Sequence, residues 1–312
     1  LEGKHLSKES LKIALTYIIT LIVAFAVIGG AAYYIFTKYV RGDKSAGAVE
    51  QTVTESVSAE NSYAPSEADS MTLLLIYSLE KRQTASCFML VRILPAEKKL
   101  VVVPLQSDIC AEVDGMKSTL YEFYRTGGSL QTVKAVENAS GIKIDRYMKF
   151  DKSSFTVIID LLGGVQYNVP YNLIYDNTDG GEDTIIKQGN QYLDSSLLSK
   201  VITFPNFKNG EEERAKVTGT LIADILKSNI TPGVRSSLDS MFSEVINSSV
   251  ETNVTAYDYK DKKEALKYLI DPEQDNIVTL VLPSGTYDEN KFYVLDEKFV
   301  KSLKVWFNAA EQ

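Results

Sequence analysis

The pattern of apolar and polar positions divides the chain into three parts. Residues 13–37 form an uncharged, largely apolar run of 25 positions. As a helix rising ~1.5 Å per residue, that run exceeds the ~30 Å hydrocarbon core of a bilayer. It predicts a transmembrane helix behind a short cytoplasmic tail, residues 1–12. A signal peptide has an apolar region of only ~7–15 residues, and here Gly29-Gly30-Ala31-Ala32 lies inside the run, not after it. An uncleaved single-pass anchor in the cell membrane is expected, N-terminus cytoplasmic and main domain outside. Tyr17 near one end and Tyr33, Tyr34 and Tyr39 near the other suit the two interfaces. Residues 38–69, rich in Ser, Ala, Glu, Thr and Val without apolar period, predict a flexible extracellular linker.

From 70 to 312, short apolar runs alternate with helical spacing. Residues 71–77, 87–94, 100–105 and 277–282 predict buried strands, and 95–99 a hairpin connection between the second and third. Helices are predicted over 129–140, ended by Gly141; from a cap at Ser153 or Ser154 to Leu162, closed by Gly163-Gly164; over 211–229, with Pro232 just beyond; and over 296–307. Such alternation points to a single layered α/β domain.

Charge and rare residues narrow the chemistry. The chain has 33 basic and 41 acidic residues, net −8. Beyond position 41 there are 28 basic and 39 acidic, net −11. An acidic body is a poor nucleic-acid partner, because phosphate neutralisation dominates that affinity. The sole histidine, His5, precedes the span. The domain therefore excludes Ser-His-Asp and Cys-His catalysis, HExxH zinc chemistry and histidine switches. Two cysteines, Cys87 and Cys110, exclude a zinc ribbon or an Fe–S site. If 95–99 turns an antiparallel hairpin, Cys87 pairs near Ser107, three residues from Cys110. An oxidising exterior then allows a disulfide, and two buried free thiols are the alternative. Asp108, Glu112 and Asp114 form an acidic cluster with Asp108 as its weak metal candidate, though a solvated loop explains them more simply, since the spacing lacks the glycine and ligand count of a calcium loop. Tyr121, Phe123 and Tyr124 either line a lipid groove or belong to the core.

The order of motifs resembles the LytR-CpsA-Psr family of extracytoplasmic, membrane-anchored proteins. The residues that carry it are Leu73-Leu-Leu-Ile76, Phe88-Met-Leu-Val91, Val103-Pro104, Gly127-Gly128, Gly141-Ile142-Lys-Ile144-Asp145-Arg-Tyr147, Phe150-Asp151 and Phe155. They continue with Asp160-Leu-Leu-Gly-Gly-Val165, Asn168-Val-Pro170, Gly189 with Tyr192-Leu193-Asp194, Ile277-Val-Thr-Leu-Val-Leu-Pro283, Phe292-Tyr293 and Asp296. The resemblance implies a central mixed β-sheet flanked by helices. It also implies transfer of a glycopolymer from a polyprenyl-pyrophosphate carrier to peptidoglycan, with Mg²⁺ assisting, arginines gripping the pyrophosphate and the lipid tail in an apolar groove.

Most of the residues that perform this work in the family are replaced. The family's I-P-R-D strand end is Val103-Pro104-Leu105-Gln106, its Y-V-R-F-R segment is Val201-Ile202-Thr203-Phe204-Pro205, and of D-x-x-R-x-x-R-Q only Arg214 stands in register. The resemblance places substrate contacts at Arg214, Gln106 and Thr203, with Arg82 and Lys117 as replacements for lost charge; no catalytic residue is assigned. Each lost hydrogen bond to a charged group removes ~1.5–3 kcal/mol, and ~1.4 kcal/mol is tenfold in rate. A weakened or non-catalytic family member is expected, with Mg²⁺ doubtful for want of carboxylates. The alternative is a binding or scaffold module for polyprenyl-phosphate lipid, wall polymer or a sister enzyme.

Overall fold

Both faces of the central strands are apolar, so the sheet must be covered on both sides. The strands and helices follow in order as β1 (Met71–Tyr77), β2 (Cys87–Leu94), β3 (Lys99–Leu105), β4 (Cys110–Val113), β5 (Met116–Thr119), α1 (Leu120–Ser140), β6 (Arg146–Phe150) and α2 (Lys152–Leu162). Next come β7 (Val165–Val169), β8 (Leu173–Tyr175), β9 (Thr184–Ile186), β10 (Gly189–Leu193), α3 (Ser195–Ile202), α4 (Gly210–Asn229) and α5 (Pro232–Ser248). The chain closes with β11 (Glu251–Thr252), α6 (Ala256–Leu269), β12 (Val278–Leu280), β13 (Gly285–Tyr287), β14 (Tyr293–Leu295) and α7 (Glu297–Trp306). This computed structural model describes residues 63–78, 87–175, 184–230, 232–270 and 277–307. The predicted tail, the 13–37 span, most of the linker and Arg82 lie outside the described residues. Among the described residues no helix is long and apolar enough to cross a membrane.

The sheet has six strands in the order β11-β6-β1-β2-β3-β12. The pairs β1–β2, β2–β3 and β6–β11 are antiparallel, whereas β1–β6 and β3–β12 are parallel, so the sheet is mixed as expected. Leu74, Ile76, Phe88, Leu90, Val101 and Val103 point to one face, where α1, α7 and the β4–β5 hairpin cover them. Leu75, Tyr77, Met89, Val91 and Val102 point to the other, beneath α2, α4 and α6. Phe123 is buried on the first face, and Phe88 meets Tyr124 edge-on at 6.0 Å. Phe123 and Tyr124 belong to this core.

Two helix boundaries differ from expectation, and one helix, α5, was not expected. Asp151, not Ser153 or Ser154, caps α2: its Oδ1 accepts from Ser154 N at 2.8 Å while Ser154 Oγ accepts from Asp151 N at 2.7 Å, a reciprocal box that satisfies two otherwise orphaned donors. Helix α1 starts at Leu120 and is broken at Gly128, whose φ of 64° and ψ of −158° suit only glycine. Pro232 opens α5, since its missing N–H costs nothing at a first helical position. Helix α4 sits close to β3 because Gly219 faces Pro104, where a Cβ would lie 2.5 Å from Pro104 Cγ. That contact sets the height of Arg214 and Thr218 above the end of β3.

Candidate functional site

The space between the second sheet face and its helices is not filled. An apolar cavity of about 350 Å³ runs over Tyr77, Met89 and Val91 and under Ile158, Ile222 and Ile225. A second cavity of about 240 Å³, roofed by Leu238, Met241 and Phe242 of α5, adjoins it through Ile93, Met148, Val245 and Leu266. Protein interiors pack at the density of organic crystals, so an apolar hollow of this size has the room and the lining for an apolar ligand.

At the Cys87–Thr218 end the cavity meets a small polar pocket lined by Leu105, Gln106, Glu211 and Arg214. Arg214 is buried; its Nε donates to Glu211 Oε1 at 2.9 Å and its guanidinium lies 5.7 Å from the Phe207 ring centroid. Ser107 Oγ donates to Glu211 Oε2 at 2.7 Å. Among the described residues, Arg214 Nη1, Gln106 Oε1 and Thr218 Oγ1 are buried without a hydrogen-bond partner. The space between them is about 10 Å³, room for one water molecule. Asp108 lies within reach of the Glu211 charge; Tyr287 Oη donates to its Oδ2 at 2.6 Å, and among the described residues its buried Oδ1 has no partner. Burial, opposed by the Tyr287 hydrogen bond and aided by the charge on Glu211, raises the Asp108 carboxyl above its usual range.

Of the residues predicted from sequence, the structure brings Arg214 and Gln106 together at the pocket, with Asp108 close by. Thr203 is elsewhere: its hydroxyl donates to Ser199 O at 2.7 Å and ends α3. Lys117 is on the β4–β5 hairpin, paired with Asp288 Oδ2 at 2.9 Å and over the Phe292 ring at 5.3 Å, and it does not line the pocket. The cysteines are free thiols. Cys87 lies on the α4 side of the sheet and Cys110 on the hairpin that covers the other face, which is why their nearness in register brings no pairing. The surface Cys87 retains faces the cavity, and burial pushes its thiol up to about 11, only partly opposed by Arg214. Glu211, Ser107 and Thr218 escaped the sequence reading. Glu211 had one available signal, its spacing of three from Arg214 on a helix.

The donor set does not make a magnesium cage. Both Glu211 oxygens and Asp108 Oδ2 are engaged, which leaves Asp108 Oδ1 as the single uncommitted carboxylate oxygen of the pair. Among the described residues no group of three His, Cys, Asp or Glu side chains converges. Mg²⁺ requires near-octahedral oxygen ligation, which one uncommitted carboxylate oxygen does not supply.

The sequence profile of the LytR_cpsA_psr family matches residues 33–306, most of the chain. The chain belongs to the LytR_cpsA_psr family. It is 23% identical over 273 residues to the polyisoprenyl-teichoic acid–peptidoglycan teichoic acid transferase TagU of Bacillus subtilis (strain 168), covering 83% of this chain and 85% of TagU. The structure resembles a protein of Eubacterium siraeum DSM 15702 with a TM-score of 0.70 and 21% identity, covering 86% of this chain and 100% of that one. B. subtilis TagV superposes with a TM-score of 0.61 and 18% identity, covering 78% and 98%. These structural likenesses establish the LytR_cpsA_psr fold, in which the cavity and the Arg214 pocket lie between the sheet and α4.

Proposed function

We propose that this LytR_cpsA_psr protein is anchored in the cell membrane by residues 13–37 and works outside the cell in envelope glycopolymer assembly. It holds the polyprenyl tail of a phosphate-linked carrier in the apolar cavity and transfers the polymer weakly or not at all. The relative TagU carries a teichoic acid transferase name, and family membership supports the substrate class. One observation carries the reading: a large apolar cavity ends at a water-sized polar pocket where Arg214, the one arginine among its described residues, already pairs with Glu211. Buried methylenes contribute ~0.8 kcal/mol each, so a long prenyl chain binds without a strong grip on its head group. Phosphoryl transfer depends on positioning and charge stabilisation, and both are reduced here. Native mass spectrometry of the full chain extracted in mild detergent tests the binding. A polyprenyl phosphate or pyrophosphate adduct, lost in Ile222→Trp, is expected. The same adduct on the blocked variant, or no lipid on either, contradicts it.

A further inference from the structure

A second cleft lies on the other side of α4. It has a volume of about 370 Å³ and is bounded by Tyr167, Pro170, Glu212, Lys216, Val217 and Thr220. Tyr167, Pro170 and Val217 supply an apolar wall. Glu212, Lys216 and Thr220 supply polar groups that hydrogen-bond or pair with no described residue, although both charge signs are present one turn apart. The rim is built: Tyr171 Oη donates to Glu213 Oε1 at 2.8 Å, Asn209 N donates to Glu213 Oε2 at 2.9 Å, and Lys208 Nζ lies 4.1 Å over the Tyr171 ring. Those contacts fix the loop before α4 and engage Glu213 and Asn209, while Glu212, Lys216 and Thr220 stay uncommitted.

We infer that this cleft binds an uncharged sugar chain, its ring faces against Tyr167 and Pro170 and its hydroxyls shared between Glu212, Lys216 and Thr220. A carboxylate accepts from hydroxyls, a lysine donates to them, and a threonine does either. A phosphate polymer is disfavoured, because Glu212 and Glu213 outnumber Lys216 among the charged lining residues. A purely apolar ligand would leave three polar groups desolvated. The cleft and the Arg214 pocket lie on different faces of α4, about one helix diameter, ~10–12 Å, apart. The inference rests on the envelope-glycopolymer reading, but it does not need the lipid.

The test uses the full chain in detergent with a β-1,4-linked N-acetylglucosamine tetramer as probe, read by saturation-transfer NMR and calorimetric titration. Binding is expected, weakened at least tenfold in Glu212→Ala and Lys216→Ala, two exposed positions whose loss leaves the fold intact. Ile222→Trp, which blocks the lipid cavity, should leave it unchanged. No binding at millimolar probe overturns the inference, as does binding that survives both variants. Preference for a polyglycerol phosphate probe over the tetramer overturns it too. A chain that binds the tetramer but carries no polyprenyl lipid retains this site and loses the lipid reading.

Discussion

Arg214 Nε donates to Glu211 Oε1 at 2.9 Å, one turn back along α4, and Ser107 Oγ holds the other oxygen of the same carboxylate at 2.7 Å. The one arginine among the described pocket residues is therefore neutralised before any anion arrives. Replacing Glu211 with Gln removes the competing charge. Polyprenyl phosphate should then bind about tenfold more tightly in detergent titrations, the size of one charge-assisted hydrogen bond of ~1.5 kcal/mol. Weaker binding in Glu211→Gln would show that the carboxylate itself contacts the ligand.

The tail should carry most of the lipid affinity. A polyprenyl alcohol without phosphate should bind within about ten- to hundredfold of the phosphate, since one paired guanidinium supplies at most ~1.5–3 kcal/mol. Competition between the two lipids measures this, and a thousandfold preference for the phosphate would contradict it.

Gly219→Ala tests how α4 is seated. The added Cβ would lie 2.5 Å from Pro104 Cγ, and overpacking of this kind costs ~1–3 kcal/mol. Alanine's better helix propensity returns ~0.8–1 kcal/mol. Denaturant titration should show a net loss on the order of 1 kcal/mol.

Acid should loosen α6. Arg146 donates to Asp258 at 2.6 and 3.0 Å, and Thr255 adds a capping box, so Arg146 first and then the cap hold the Asp258 carboxyl well below the usual carboxylate range. A depressed carboxyl stabilises the fold above its unfolded value of ~3.9, and that contribution disappears as pH falls from about 5 through the folded value. Urea midpoints measured from pH 6 to pH 3 should fall, and the fall should be smaller in Asp258→Asn, which at pH 7 loses about 1–2 kcal/mol through its cap and partly exposed pair.

The two thiols should behave differently. Both should label in the unreduced, unfolded protein. In the folded protein Cys110, half-buried on the hairpin, should react first, while Cys87 faces the apolar cavity with its thiol pushed up to about 11. Alkylation at pH 8 followed by mass spectrometry separates them. Lipid in the cavity should slow Cys87 further and leave Cys110 unaffected.

The strands were legible in the sequence because runs such as Leu73–Ile76 and Val101–Val103 are apolar on both pleat faces, and the helices over 129–140 and 211–229 because their spacing and stops agree. Helices α5 and α6 were missed: α5 is serine-rich and begins at a proline that read as a terminator, and α6 has a weak apolar stripe. Arg214 and Gln106 were legible through family spacing. The cavity was not, since residues such as Met89 and Ile222 have the same composition whether they close a core or line a hollow. Thr203 misled because its motif position falls where α3 ends, and the end of a helix uses a hydroxyl locally.

The central claim is that the chain holds the lipid carrier but transfers its cargo poorly. A single-turnover assay measures this most directly: the full chain in detergent, a labelled polyprenyl-pyrophosphate-linked glycopolymer in equimolar amount, peptidoglycan and Mg²⁺, with bound and released lipid followed together. The account predicts that donor stays bound and intact, with Glu211→Gln binding more. Rapid Mg²⁺-dependent appearance of label on peptidoglycan would contradict it.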